Sequence, residues 1–505
     1  MRSRSPLLSI SAKVLLGLSI AALAGGCAGA TNIVDGVPAL HGPTLAEYVR
    51  IDDGAFRWEV LSQQSADGVT TWVLEMDSQR WRSAEEVDRT LWQHWVTVVV
   101  PNAARAAPPE GRERTALLLI GGGANGRSAP AGADDRALAI ARGTGGIVIS
   151  LSMVPNQPLA FADDGRPRTE DDLVAHTWNK HMETGDRAWL ARWPMVKSAV
   201  RAMDATQELL RSAEGGGLDV PEFVVAGGSK RGWTTWLTGA VDPRVAAIIP
   251  IVIDVVNVIP SMEHHFAAYG FWAPAVGDYE HNGIMDRRGD PAYERLITLV
   301  DPYFYREQLQ MPKMVINSSG DQFFLPDSSR FYFDDLLGEK HLRYVPNTDH
   351  GLGGSDAVET IASFFAAIAN GTPRPRFSWS FEDGGVIRVV PVDRPREARL
   401  WLATNPSARD FRKEVIGEAW TPAPLEAAAD GSYVARIAPP SSGYAAGFVE
   451  LTYPGCGPAA FKLSTAVLVI PDALPHLDRL AALPGSPPPR NGPVAKARTQ
   501  AQQER

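Results

Sequence analysis

The chain contains little cysteine and no excess of positive charge. Only 2 of its 505 residues are cysteines, so neither a disulfide framework nor a four-cysteine zinc site can form within it. The 58 acidic and 49 basic residues give a formal net charge of −9, which argues against a general nucleic-acid binder. Hydrophobic residues make up 45% of the chain, and the length allows two or three domains. Composition therefore favours a globular enzyme with an extra segment at each end.

The N-terminal segment is typical of a targeting signal. A basic region precedes the apolar run 14–24, which is too short to cross a bilayer but suits the core of a signal peptide. Small residues then lead to Cys27 in the order Leu-Ala-Gly-Gly-Cys, which resembles a bacterial lipoprotein signal with its leucine one place further away than usual. We predict that residues 1–26 are a lipoprotein-type signal peptide and that a lipid on Cys27 anchors the exported protein to a membrane of the bacterial envelope. The alternative is an ordinary secretory signal and a periplasmic or secreted protein.

Two regions of different character lie between the ends. From about residue 40 to 372, short apolar runs alternate with helical stretches, the pattern of a parallel sheet flanked by helices. From about 376 to 470 only alternating strand patterns remain, which predicts a β-sandwich. Residues 475–505 are rich in Pro, Ala, Arg and Gln and are predicted to form a disordered tail. The predicted strands of the first region are 72–76, 95–100, 117–120, 147–151, 223–226, 246–253, 313–317 and 341–345.

Ser229 is the clearest candidate for chemistry. The run 223–232, Phe-Val-Val-Ala-Gly-Gly-Ser-Lys-Arg-Gly, predicts a buried strand, a tight turn and the start of a helix. A serine hydroxyl is a poor nucleophile unless it is exposed near a base, and a sharp strand-to-helix turn between small residues exposes it. Gly227 and Gly232 give the pattern G-x-S-x-x-G, a variant of the usual G-x-S-x-G elbow. The alternative is a serine that only caps a helix.

An acid and a histidine follow later strands in the order that a catalytic triad requires. Asp321 comes after the run 313–317 and His350 after the run 341–345, so the chain order is Ser, Asp, His, as in an α/β-hydrolase. His350 would accept the serine proton, and Asp321 would orient the imidazole. Asp254, at the end of the preceding strand, is the alternative acid.

A glycine loop follows the run 117–120. Gly122 or Gly123 would supply one backbone N–H to an oxyanion hole, and Lys230, directly after the nucleophile, would supply the other. The loop also matches the dinucleotide fingerprint G-x-G-x-x-G, but no helix follows directly and the next strand lacks the acid that binds a ribose. Residues 263–265, Glu-His-His, lack the spacing of a metal site, so we predict neither a metal nor a cofactor.

Three further side chains are candidates for binding substrate. Lys230 and Arg231 follow the nucleophile directly and could bind an anionic group, unless they face away and Arg231 pairs with a carboxylate. Trp233 could line the substrate cleft, although most tryptophans in this region are expected in the core. The segment 255–305 is rich in aromatic residues and is predicted to be a helical insertion, either a lid over the site or merely packed against it.

The runs 228–238, 242–245, 250–254 and 448–453 resemble motifs of the PhoPQ-activated pathogenicity-related protein family. The resemblance covers most of residues 45–470. It implies an α/β-hydrolase-like fold and an exported protein associated with bacterial virulence, while leaving the substrate undefined. The serine motif alone is also similar to that of glucuronoyl and acetyl-xylan esterases.

Together these features predict an exported serine hydrolase with an α/β-hydrolase domain and a C-terminal β-sandwich. We expect it to cleave a carboxylic ester, either small or linked to a glycan or peptide, through an acyl-enzyme. A serine peptidase and a non-catalytic envelope or signalling protein are the alternatives.

Overall fold

A computed structural model describes residues 33–34, 37–455 and 459–485. The predicted signal peptide 1–26, the predicted lipidation site Cys27 and residues 486–505 of the predicted tail lie outside the described residues. Within them, no helix is both long and apolar enough to cross a membrane.

The N-terminal domain is built on one mixed sheet of nine strands. Their spatial order is β1-β2-β3-β5-β4-β6-β7-β8-β9. The pairs β1–β2, β2–β3 and β3–β5 are antiparallel, and the remaining pairs are parallel. The strands are β1 (Arg57–Ala66), β2 (Val69–Arg80), β3 (Leu91–Pro101), β4 (Thr115–Ile120), β5 (Ile147–Leu151), β6 (Glu222–Gly228), β7 (Val245–Ile251), β8 (Lys313–Ser318) and β9 (Lys340–Val345).

The burial of each strand explains whether it could be predicted from the sequence. Strands β4 to β7 are covered on both faces and are nearly continuous apolar runs, as expected of a parallel sheet between helices. Strands β8 and β9 are buried as well but include polar and charged residues. All eight predicted runs lie largely within β2 to β9. The edge strand β1 was not predicted, because its residues are mostly polar and exposed and it has a partner on one side only.

Helices cover both faces of the sheet. Two helices, α2 and α9, pack on one face, and α4 and α5 pack on the other, where α3 and α8 join the same apolar core. The α-helices of the described residues are α1 (Leu45–Tyr48), α2 (Asp135–Thr144), α3 (Glu170–Thr184), α4 (Arg192–Arg211), α5 (Lys230–Val241), α6 (Val258–Tyr269), α7 (Gly277–His281), α8 (Pro291–Val300), α9 (Ala357–Ala369), α10 (Lys413–Ile416) and α11 (Leu477–Ala481). The predicted insertion 255–305 corresponds to α6, α7, α8 and short 3₁₀ turns between β7 and β8.

The C-terminal region forms two antiparallel sheets. Strands β10, β11 and β14 form one sheet, and β12, β13, β15, β16 and β17 form the other. Both sheets contribute to one apolar core with Phe364 and Phe365 of α9. The strands are β10 (Phe377–Glu382), β11 (Val386–Pro391), β12 (Glu397–Asn405), β13 (Thr421–Pro424), β14 (Tyr433–Arg436), β15 (Tyr444–Pro454), β16 (Ala460–Ser464) and β17 (Leu468–Ile470). The predicted fold class, an α/β-hydrolase fold followed by an all-β region, is confirmed.

The structure differs from the sequence expectation at the start of the tail. Residues 475–485, predicted to be disordered, include α11, which packs on α6. The His476 N–H donates to the Ala267 carbonyl over 2.9 Å. Leu474, just before this segment, packs on a small apolar cluster that includes Ala268 and Tyr269 of α6. The surface of α6 therefore supplies contacts that the composition of the segment does not reveal.

Candidate active site

Ser229 lies on a sharp turn between β6 and α5. Its backbone has φ 58° and ψ −127°, a conformation that a non-glycine residue adopts only when its surroundings hold it there. A Cβ at Gly227 would lie 2.6 Å from the Arg231 carbonyl oxygen, and one at Gly232 would lie 2.9 Å from the Ile251 oxygen. The turn therefore requires glycine two residues before and three after the serine. This is the nucleophile elbow of an α/β-hydrolase with the second glycine shifted by one position.

The structure brings His350 and Asp321 together. The loop after β9 carries His350, whose Nδ1 lies 2.8 Å from Oδ2 and 3.0 Å from Oδ1 of Asp321. Two backbone N–H groups fix the loops: that of Phe323 donates to Asp321 Oδ1, and that of His350 donates to Gln322 Oε1. Buried Asp321 therefore holds the imidazole in one orientation.

Asp254, the alternative acid, has other partners. Its two carboxyl oxygens accept hydrogen bonds from Tyr332 at 2.7 Å and Tyr344 at 2.6 Å. Burial raises the pKa of Asp254 to about 8, although the tyrosine hydrogen bonds act in the opposite direction. The geometry therefore favours Asp321 as the partner of His350.

Ser229 lines a mainly apolar cavity. The space inside this cavity, together with its solvent-filled opening, is about 580 Å³. The insertion between β7 and β8 covers this cavity with eight side chains, and Phe323 and Phe324 follow Asp321 in its wall. The Phe323 ring centroid lies 4.3 Å from that of His350. Within the described residues, His350 Nε2 is buried and has no hydrogen-bond partner.

The two cations after the nucleophile are paired with carboxylates at the start of α3. Arg231 donates two hydrogen bonds to Glu170, at 2.8 and 2.9 Å, and one to the Val154 carbonyl. Lys230 Nζ lies 2.8 Å from Glu170 and 3.2 Å from Asp171. Burial alone would raise the pKa of Glu170, but hydrogen bonding to Arg231 and the charge of Lys230 lower it to about 2. We call Glu170, Asp171, Lys230 and Arg231 the ionic cluster.

The three residues predicted to bind substrate, Lys230, Arg231 and Trp233, do not all face the cavity. Lys230 and Trp233 line the cavity, whereas Arg231 does not and its guanidinium lies against the glycine loop. The structure thus favours the alternative that Arg231 faces away from the cleft. Glu170 was missed by sequence reasoning. Its only signal is the acidic run 170–172, which is ordinary for the first turn of a helix.

The predicted oxyanion donors lie beside this cluster. A Cβ at Gly122 would lie 2.5 Å from Arg231 Nη2, so the loop and the guanidinium touch. Among the described residues, the amide N–H groups of Gly122, Gly123 and Lys230 have no protein acceptor. No acceptor among the described residues therefore competes for these three N–H groups.

Comparison with known proteins identifies the family. A sequence model of the PhoPQ-activated pathogenicity-related proteins matches residues 45–412. The chain is also 36% identical over 468 residues to autocrine proliferation repressor protein A of Dictyostelium discoideum, covering 87% of this chain and 92% of that protein. The chain belongs to the PhoPQ-activated pathogenicity-related protein family.

Solved structures of other proteins are more distantly similar. The acetyl xylan esterase of Paenibacillus sp. R4 is 14% identical, with a TM-score of 0.44 covering 65% of this chain and 96% of that one. The glucuronoyl esterase of Solibacter usitatus is 15% identical, with a TM-score of 0.36 covering 64% and 91%.

In this PhoPQ-activated pathogenicity-related protein the motif 263–265 has structural partners. Glu263 pairs with Arg288, His264 pairs with Asp327, and His265 Nε2 accepts the Ala273 N–H. Within the part of the chain that the structure describes, no group of three or more His, Cys, Asp or Glu side chains is arranged to hold a metal ion.

Proposed function

We propose that this protein is a serine hydrolase that cleaves carboxylic esters, with Ser229 as nucleophile, His350 as general base and Asp321 as its orienting acid. The observation that carries the proposal is the 2.8 Å contact of Asp321 with His350 Nδ1. The His350 ring packs on Phe323, which lines the same cavity as Ser229 on its strained elbow. The free Nε2 of His350 supports the same assignment, because it is the atom that would accept the serine proton.

The reaction would proceed in two displacements. Ser229 Oγ attacks the ester carbonyl while its proton moves to His350 Nε2, and the imidazolium that forms is stabilised by Asp321. The carbonyl oxygen becomes an oxyanion that accepts hydrogen bonds from the Lys230 N–H and from the glycine loop. Collapse of this intermediate breaks the ester C–O bond, and His350 protonates the leaving alcohol. Water, deprotonated by His350, then attacks the acyl-enzyme, releasing the acid and regenerating Ser229.

The lining of the cavity suits a small ester. Most of its side chains are apolar, as expected of a site that binds a small molecule. The Dictyostelium relative is named as a repressor of proliferation, so a signalling role without catalysis is the alternative to test.

Labelling with a fluorophosphonate probe tests the proposal. We expect the wild type to be labelled and Ser229→Ala not to be, while Ser65→Ala, a remote serine on β1, retains full labelling. Removing one triad member costs roughly 10⁴- to 10⁶-fold in turnover. Equal labelling of Ser229→Ala would refute the nucleophile, and an unlabelled wild type would favour the non-catalytic alternative. Faster turnover of amides than of matched esters would favour a peptidase.

We also propose that the protein is exported and anchored through a lipid on Cys27, and that it acts in bacterial virulence. Stable attachment requires more than one acyl chain, which a lipoprotein cysteine carries. The full-length protein should partition into detergent, and Cys27→Ser should become soluble or remain unprocessed. Recovery of the wild type entirely as free protein would exclude the anchor.

A further inference from the structure

Arg192 is a buried cation in the wall of the cavity that contains Ser229. It is the first residue of α4 and only 1% exposed. Its guanidinium carbon lies 3.9 Å above the Trp233 ring, and its Nη2 makes one long hydrogen bond of 3.4 Å to the Tyr279 hydroxyl. Nε and Nη1 are buried and have no partner among the described residues. Arg192 therefore keeps strong donors unused beside the nucleophile.

The carboxylates of the neighbourhood are already engaged. Asp171 lines the same cavity, but it pairs with Lys230 and accepts the Tyr279 hydroxyl at 3.1 Å. Glu170 pairs with Lys230 and Arg231. The two carboxylates and two cations of the ionic cluster thus balance each other. Within the described part of the chain, no carboxylate lies within 4.0 Å of Arg192.

Arg192 is poorly explained by stability alone. Burial lowers the pKa of its guanidinium, because the charged form loses contact with water. The positive end of the α4 dipole also disfavours a cation in the first turn of that helix. Stacking on Trp233 offsets part of this cost, but an apolar side chain would fill the space without leaving buried donors unpaired. A ligand that accepts hydrogen bonds from these donors would explain why an arginine lies at this position.

We propose that Arg192 binds a carboxylate carried by the substrate, so that the enzyme prefers esters with a second, free carboxylate group. This inference rests on the proposed function and names its substrate class. Arg192 and Ser229 line the same cavity, and Trp233, under the guanidinium, follows Ser229 by about one helical turn of α5. One substrate in this cavity can therefore place its carboxylate at Arg192 and its scissile carbonyl at Ser229. A guanidinium can hold it with two parallel hydrogen bonds, which a lysine cannot reproduce.

Kinetics on paired substrates test the preference. The probes are the monomethyl esters of succinate, glutarate and adipate, each compared with the corresponding terminal amide by pH-stat titration. We expect the wild type to prefer an ester that carries a free carboxylate over the matching ester with a terminal amide. Arg192→Met should lose roughly 10- to 100-fold in kcat/KM on the carboxylate ester but less than about 3-fold on the amide-bearing ester. Arg192→Lys should be intermediate. Arg201→Met is the control, because Arg201 lies on the same helix over the Phe56 ring and outside the cavity. Equal losses on both members of each pair, or no preference in the wild type, would overturn the inference.

Binding without turnover separates this inference from the proposed function. Calorimetry of Ser229→Ala with hexanoate should detect binding that weakens about 10- to 100-fold in Ser229→Ala/Arg192→Met, while hexanamide binds both variants alike. Equal or undetectable hexanoate binding would overturn the role of Arg192. Hexanoate binding by a protein that no fluorophosphonate labels would support the carboxylate site while refuting the hydrolase. Thermal melting of each variant checks the fold, and Arg192→Lys replaces Arg192→Met if the latter is unfolded.

Discussion

Replacing Glu170 by Gln should weaken the fold through a mechanism that depends on pH. The Glu170 carboxylate holds both Arg231 and Lys230, and its backbone adopts a positive φ of 52°. Gln has nearly the same size and can keep that backbone conformation, but it carries no charge. The substitution therefore removes the ion pairs of Glu170 with Arg231 and Lys230 and leaves the Lys230–Asp171 pair, with little change of shape.

The size of the effect follows from the pKa. A fall in the pKa from 4.5 to about 2, at about 1.4 kcal/mol per pH unit, corresponds to about 3.5 kcal/mol. Because 38% of the Glu170 side chain is exposed, solvent screening reduces this to roughly 1–2 kcal/mol. A carboxyl whose pKa is lowered in the folded state stabilises it above the unfolded pKa. This contribution is lost as the pH falls from about 4.5 towards about 2.

Urea denaturation of the wild type and Glu170→Gln at several pH values measures the effect. The difference in unfolding free energy should be roughly 1–2 kcal/mol at pH 7 and should shrink steadily below about pH 4.5. Glu183→Gln is a matched control on the same helix, since Glu183 is 57% exposed and lies 3.7 Å from Lys180. It should change stability by less than about 0.5 kcal/mol. A difference for Glu170→Gln that stays constant down to pH 3 would refute the reasoning.

Three other substitutions test further parts of the structure. Burial raises the pKa of Asp254 to about 8. As the pH rises from about 4 to 8, the wild type should therefore lose stability relative to Asp254→Asn. Parallel stability profiles of the two proteins over this pH range, measured by denaturation, would contradict this. Gly122→Ala should displace Arg231 and lower the melting temperature, whereas Gly132→Ala, with nothing within 4 Å of its Cβ, should leave it unchanged. Gly143→Ala, inside α2 with open space around it, should stabilise the protein by about 0.5–1 kcal/mol in urea denaturation, and a loss would contradict this.

Local sequence patterns were sufficient for eight of the nine strands of the sheet and for the residues of the candidate triad. Apolar runs in the sequence predicted β2 to β9, because strands that are buried in a sheet are rich in apolar residues. Ser229, Asp321 and His350 could be found because each follows its own strand, and the turn at the serine requires small neighbours at fixed spacing. The sequence alone left open whether Asp321 or Asp254 faces the histidine. That choice depends on loop positions, which only the folded structure determines.

Tertiary structure alone decided the ionic cluster and the position of Arg192. The apolar residues of α4 from Val196 to Leu210 recur at helical spacing, but this pattern describes the face that packs on the sheet. It gives no information about the first turn, where Arg192 reaches the cavity. Glu170 lies about sixty residues before the cations that it pairs with, in an acidic first turn typical of many helices. Local geometry follows from steric and hydrophobic effects among residues that are close in sequence. Residues that are distant in sequence become neighbours only when helices pack on a completed sheet.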